Sequence, residues 1–313
     1  MPRKIIIDTD PGQDDAVAIL AALASPEDLD VLGIVGVAGN VPQPLSVANA
    51  LKMVELAGRP EIPVYPGCDR PLRRELVTAE YVHGETGLDG PDLPEPKIRA
   101  GEQHGVDFII EALRREREKT VTLCPLGPLT DIATVFTRAP DVVPRVEQIV
   151  MMGGGFFEGG NATPAAEFNI YVDPEAADIV LRSGVPITMV PLDLSHQMLT
   201  TNDRIAAFRA LGNRSGVVTA EMLEFFERFD ESKYGWEGGP LHDPCVIAWL
   251  LKPDLFHGRL INVTVETQSE LTVGMTVADY WGVTERPKNV TYLRDGDANG
   301  FYNLLLQRIA RLP

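Results

Sequence analysis

Short β-forming runs alternate with helical patterns from the first residues of this chain onward, and that rhythm constrains its fold more than any other feature. Residues 4–8 predict a strand, 14–24 a helix and 31–37 the next strand. Helical patterns follow at 45–57, 106–119, 131–137 and 174–183, interleaved with apolar runs at 62–65, 121–124, 149–152 and 187–190. Parallel strands need a long crossover between them, and a helix is the usual one. The expected fold class is therefore α/β: a single open, mostly parallel sheet with helices on both faces. From residue 260 onward the runs INVTVET, LTVGMTVAD and NVTYLR predict extra strands at the sheet edge. With no internal repeat and no low-complexity tract, residues 1–313 read as one domain. In such a sheet a ligand is expected beyond the carboxyl ends of the strands.

Two stretches interrupt the rhythm. Residues 70–101 and 229–240 are rich in Pro, Gly and acid, and connections of this kind are expected to be functional loops. The formal charge of −17 disfavours nucleic-acid backbones and anionic membrane surfaces, so neither is an expected partner. Arg114, Arg115 and Arg117 read as a solvated helix face. No apolar run reaches the length of a membrane span, and MPRKIIID leads straight into a strand, which predicts a soluble, unsecreted protein. Cys68, Cys124 and Cys245 are odd in number and lack CxxC spacing, which fits a reducing cytoplasm.

The segment IIIDTDPGQDDAVAIL sets Asp8, Asp10, Asp14 and Asp15 at the junction of the first strand and the first helix. An aspartate at a helix start caps backbone N–H groups and meets the favourable end of the dipole, which accounts for one or two of the four. The others, held close together, must raise one another's pKa or share a counter-charge. A divalent cation meets that need, and a donor set of oxygens alone favours a hard ion, Ca²⁺ or Mg²⁺.

Far along the chain, GGPLHDPCVIAWL puts His242 and Asp243 at the head of another apolar run. Standing alone, the pair reads as a helix cap with a neighbouring histidine; beside an acidic cluster, Asp243 is a further metal oxygen and His242 a titratable acid. In MMGGGFFEGGNATPAAEFNIYVDPEAA, glycines let the backbone approach a ligand, and Asn161, Glu167 and Asn169 offer hydrogen bonds to several hydroxyls. These segments carry almost no Lys or Arg and no GxxxxGK[ST] cradle, which argues against phosphate esters. A neutral polyhydroxylated ligand against a metal fits them better.

Together, DTDPGQDDAVAIL, the AGN ending in Asn40, HGETGLDG, PLGPLTDIA, the glycine-rich segment and PLHDPC resemble the inosine-uridine-preferring nucleoside hydrolases, in order and over nearly the whole chain. The resemblance implies a Rossmann-like nucleoside hydrolase fold, one Ca²⁺, a homotetramer or homodimer, and a place in nucleoside salvage. The implied reaction is hydrolysis of the N-glycosidic bond of inosine, uridine or cytidine type ribonucleosides by a calcium-activated water. Carried over, Asp10, Asp15, Asp243 and the main-chain carbonyl of Leu126 hold the ion, and Asp10 is also the general base. Asp14, Asn40, Asn161, Glu167 and Asn169 hold the ribose, with Met152 lining the pocket and Asn169 counted among the catalytic groups. His242 is the implied leaving-group acid, and His83 closes over the base. Phe226, Asp230 and Tyr234 fall where relatives contact the base, which leaves the choice between purine and pyrimidine open.

Two other readings compete. A phosphohydrolase of the haloacid dehalogenase type also starts from a strand ending in DxD, but it wants Thr or Val where this chain has Gly12, and a separate Lys. A catalytically silent nucleoside or sugar binder would keep the metal site without the chemistry.

Overall fold

The computed structural model describes residues 1–313, with side chains described for all except Asp230, Glu231 and Tyr234. The strands are β1 (Arg3–Thr9), β2 (Leu29–Gly36), β3 (Val64–Pro66), β4 (Val121–Pro125), β5 (Val146–Met152), β6 (Ile187–Val190), β7 (Leu199–Thr201), β8 (Gly238–Pro240), β9 (Phe256–Val265), β10 (Thr276–Asp279) and β11 (Val290–Gly296). The helices are α1 (Gln13–Leu23), α2 (Gln43–Leu56), α3 (Glu80–His83), α4 (Gly105–Arg115), α5 (Thr130–Arg138), α6 (Phe168–Val172), α7 (Pro174–Leu181), α8 (Leu192–Ser195), α9 (Asn202–Ala210), α10 (Arg214–Tyr234), α11 (Pro244–Leu251) and α12 (Ala298–Ile309).

The main sheet has nine strands in the order β10-β9-β11-β6-β5-β4-β1-β2-β3. From β3 to β11 every neighbouring pair is parallel, and β9 and β10 add the antiparallel edge. Strand β1 shows why both faces carry helices. Ile5 and Ile7 enter one apolar cluster and Ile6 the other, as the two-residue period of a strand buried on both sides requires. Helices α1, α2, α10, α11 and α12 cover the first face; α4, α5 and α7 cover the second. Every residue of α1 is buried, consistent with a helix that is apolar nearly all round after its first turn. No helix among the described residues is long and apolar enough to cross a membrane.

Chain order runs outward from β1 through β2 to β3 on one side, and from β4 through β5 to β6 on the other. The direction of winding therefore switches between β1 and β4, and a crevice opens at their carboxyl ends.

The structure departs from the sequence expectations at residues 229–240 and 62–65. Residues 229–240 are not the loop their composition suggests, because α10 continues to Tyr234 and β8 begins at Gly238. Thr219, Met222, Leu223, Phe226 and Glu227 are buried at helical spacing, and this stripe carries the helix into the polar run that follows. The apolar run at 62–65 yields only the short β3, Val64–Pro66.

Candidate active site

At the β1/β4 crevice, the chain leaves β1 at Thr9 and enters α1 at Gln13. Asp15 ties this turn together: one carboxylate oxygen accepts from Gly12 N at 3.0 Å and the other from the Thr9 hydroxyl. Asn40, just beyond β2, donates its main-chain N–H to Asp10 Oδ2 at 2.7 Å, and its amide donates to Asp10 O and Asp15 Oδ2. Gly39 and Gly127 press on the same carboxyl, since a Cβ would lie 2.0 Å from Asp10 Oδ2 at Gly39 and 2.3 Å from Oδ1 at Gly127. Only glycine leaves room there.

Asp243, at the start of α11, meets this cluster from a distant part of the chain. Asp14, Asp15 and Asp243 each offer an oxygen within 4.8 Å of the others, a grouping that could hold a metal ion. Asp14 thus converges on the same point as two of the expected ligands, with Asp10 beside them. All four carboxyls are buried. Burial, and then the charge of Asp15, pushes the pKa of Asp10 well up and that of Asp14 up to about 7. Burial followed by the charges of Asp14, Asp15 and Asp10 does the same to Asp243. Asp10 Oδ1 and Asp14 Oδ1 have no hydrogen-bond partner among the described residues. Buried acceptors without donors and mutually repelling carboxylates are the signature of a site built around a cation. The donors are all oxygens, so the site fits a hard ion.

The opposite wall comes from β4, β5 and the segment that follows β5. Leu126 O, one of the expected ion ligands, accepts from Asn169 Nδ2 at 2.6 Å. The same amide lies 3.4 Å from Met152 Sδ. Glu167 caps α6: Oε1 accepts from Asn169 N, while Oε2 accepts from Ile170 N and from Gly154 N. Burial raises its pKa. Gly154 has φ +80°, a conformation that favours glycine, and this turn brings its N–H onto Glu167. Asn161 Oδ1 accepts from Phe168 N.

The two histidines close the upper part. His83 ends α3 within the long 70–101 connection, and its ring stacks on Phe226 of α10 at 5.4 Å between centroids. Gln13, which the sequence reading passed over, fastens this loop. It accepts from His83 Nδ1 at 2.8 Å and donates to His83 O and Asp89 O. His242 Nδ1 is hydrogen-bonded to Ser195 Oγ at 2.7 Å. Burial holds the pKa of both histidines down to about 3, assisted at His242 by His196 and then His83. The expected base contacts Asp230 and Tyr234 lie outside the described side chains.

A single cavity joins these walls. Asp14, Asn40, His83, Asn169, His242 and Asp243 line it, as do Leu126, Met152, Asn161 and Glu167. Asp10 and Asp15, both buried, are not among its lining residues. Phe226, expected near the base, and Phe229, which the loop expectation for 229–240 hid, supply an apolar wall from α10.

A family model described as inosine-uridine preferring nucleoside hydrolase matches residues 5–303. An uncharacterised protein of Schizosaccharomyces pombe is 55% identical over 310 residues, covering 99% of this chain and 100% of its own length. A protein of Photobacterium profundum named pyrimidine-specific ribonucleoside hydrolase RihA is 49% identical over 311 residues, 99% of each chain. Among solved structures, the purine-preferring ribonucleoside hydrolase from Gardnerella vaginalis superposes with a TM-score of 0.92 at 34% identity, over 98% of both chains.

Proposed function

This chain belongs to the inosine-uridine preferring nucleoside hydrolase family and is a nucleoside hydrolase, and on that premise we propose that it cuts ribonucleosides to free base and ribose with the aid of one Ca²⁺. The observation that carries the reading is the buried carboxylate cluster, with its unpartnered oxygens, at one end of a cavity lined by hydroxyl-binding amides and two histidines. Membership of this family removes the haloacid dehalogenase alternative.

In this proposal Asp10, Asp15, Asp243 and the Leu126 carbonyl hold the ion. When bound, calcium supplies Lewis acidity toward water and positive charge toward the ribose hydroxyls. Asp10 has one oxygen fixed by the Asn40 N–H and the other without a partner, which suits Oδ1 to take the proton of the attacking water. Asp14, Asn40, Asn161, Glu167 and Asn169 hold the sugar, and Met152 packs against it. Glu167 Oε2 already accepts two main-chain N–H groups and Oε1 only one, so the remaining lone pair of Oε1 would take a sugar hydroxyl. As C1′ gains oxocarbenium character, these contacts strengthen.

His242 faces the departing base as hydrogen-bond donor, and His83 closes over it. The bond's electron pair leaves with the base. A proton taken up by the base on release balances the one that Asp10 accepts.

The name of the Photobacterium relative supports pyrimidine nucleosides as first substrates, and the family's description keeps inosine after them. We also carry forward a homotetramer or homodimer, a cytoplasmic location and a role in nucleoside salvage; the free thiols of Cys124 and Cys245, both buried, fit a reducing compartment. The test is release of base and ribose from uridine, cytidine, inosine and adenosine. Turnover of uridine or cytidine supports the reading. Tight binding of all four with no product would make the chain the silent binder instead.

A further inference from the structure

Ser195 ends α8 and is fully buried. Its hydroxyl oxygen lies 2.7 Å from His242 Nδ1, with no other hydrogen-bond partner among the described residues. A buried hydroxyl must direct its hydrogen to an acceptor, and Nδ1 is the one within reach. His242 then carries its ring proton on Nε2, the nitrogen left for the cavity that the ring lines. His83 is held the other way round. Gln13 Nε2 is occupied by two main-chain carbonyls, so Gln13 Oε1 accepts from His83 Nδ1, and His83 Nε2 is left as an acceptor. Of the two histidines, His242 is therefore the one built to donate.

We propose that Ser195 is a positioning residue that fixes the His242 ring with its Nε2–H toward the departing base. The inference rests on the reading of His242 as the leaving-group donor. The fold holds Ser195 firmly enough for this task. Asp193, two residues earlier, accepts from the N–H groups of Phe156, Phe157 and Glu158 at 2.6 to 3.0 Å and from the Tyr292 hydroxyl. Ser195 N donates to Pro191 O, and His196 N to Leu192 O. The short turn is thus clamped between the glycine-rich segment after β5 and strand β11, so the hydroxyl is in place before substrate arrives. As the C1′–N bond breaks, its electron pair moves into the base, and Nε2–H hydrogen-bonds the atom where that charge collects. Ser195 keeps its own proton throughout; its contribution is orientation and tautomer.

The test compares Ser195→Ala, Ser195→Thr and His242→Ala on uridine and on p-nitrophenyl β-D-ribofuranoside, whose leaving group departs as a stabilised anion without a donor. We expect Ser195→Ala to lower kcat on uridine about 10- to 100-fold, similar to losing an outer hydrogen bond to a working histidine. Its KM and its turnover of the nitrophenyl riboside should barely change. Ser195→Thr keeps a hydroxyl and should restore most of the uridine activity, which a loss of packing alone would not predict. An unchanged kcat on uridine in Ser195→Ala, or an equal loss on both substrates, overturns the proposal. His242→Ala separates the two levels: a loss confined to uridine leaves the donor reading standing whatever Ser195 does, whereas an equal loss on both substrates, or none, removes that reading and the proposal with it.

Discussion

Asp10 is held from three sides, by the Asn40 N–H on Oδ2 and by Gly39 and Gly127 packed against the carboxyl. Asp10→Asn can keep an oxygen for the Asn40 N–H but loses the proposed base, so kcat on uridine should fall by at least about 100-fold, the lower range for general-base catalysis. Circular dichroism should show the fold retained, and near-wild-type turnover would contradict the role. Gly127→Ala tests placement instead of chemistry. Its Cβ would stand 2.3 Å from Asp10 Oδ1 and force the carboxyl aside. Displacements near 1 Å cost about 100-fold in comparable sites, so a fall of roughly that size in kcat is expected. The residues that the sequence made legible are those whose chemistry is anomalous where they stand. Four aspartates at one strand end, or His-Asp at the head of an apolar run, have few structural explanations. Ser195 and Gln13 were not legible, because a serine in a short turn and a glutamine at a helix start look ordinary until a histidine arrives from elsewhere in the chain.

At the scale of elements, the parallel core was readable because buried strands and their helices carry strong periodicity, as at β1, α1 and β2. Helix α10 was less so: its C-terminal half is the polar run FERFDESK, and only burial of every third or fourth residue earlier in the helix reveals its path. That helix and the 70–101 loop meet where His83 stacks on Phe226 and Tyr81 packs edge-on against Phe229. Gln13 anchors this loop through three hydrogen bonds. We expect Gln13→Ala to free His83 and raise KM for uridine about tenfold, corresponding to one or two net hydrogen bonds. Steady-state kinetics would measure it, and hydrogen exchange across residues 79–90 should quicken in the variant. Unchanged KM and unchanged exchange would show that the loop is held by other contacts.

For the whole molecule, the carboxylate cluster makes stability depend on both metal and pH. Burial raises the folded-state pKa values of Asp10, Asp14, Asp15 and Asp243 above their unfolded values, Asp14 to about 7. Without metal, these four carboxyls bind more protons in the native state than in the unfolded chain between about pH 4 and pH 7, so they withdraw stability as pH rises through that window; His83 and His242, with pKa values held down to about 3, act in the opposite sense below about pH 6.5 but are two groups against four. A bound cation reverses the effect by favouring the charged carboxylates. We expect the Tm of the metal-free protein to drop from pH 5 to pH 8, and calcium to raise it more at pH 8 than at pH 5. Because α12 packs on α1 across nearly the full length of the chain, melting should occur in one transition. A metal-free Tm that rises with pH over this range would reverse the sign assigned to the cluster.

Nucleoside cleavage is proposed to depend on a calcium ion held by Asp10, Asp15 and Asp243. The decisive measurement strips the protein with a strong chelator, confirms metal loss by elemental analysis, and follows uridine hydrolysis while Ca²⁺ is returned. We expect no turnover in the stripped protein and full recovery as one ion per chain binds. Undiminished hydrolysis by protein shown to be metal-free would contradict it.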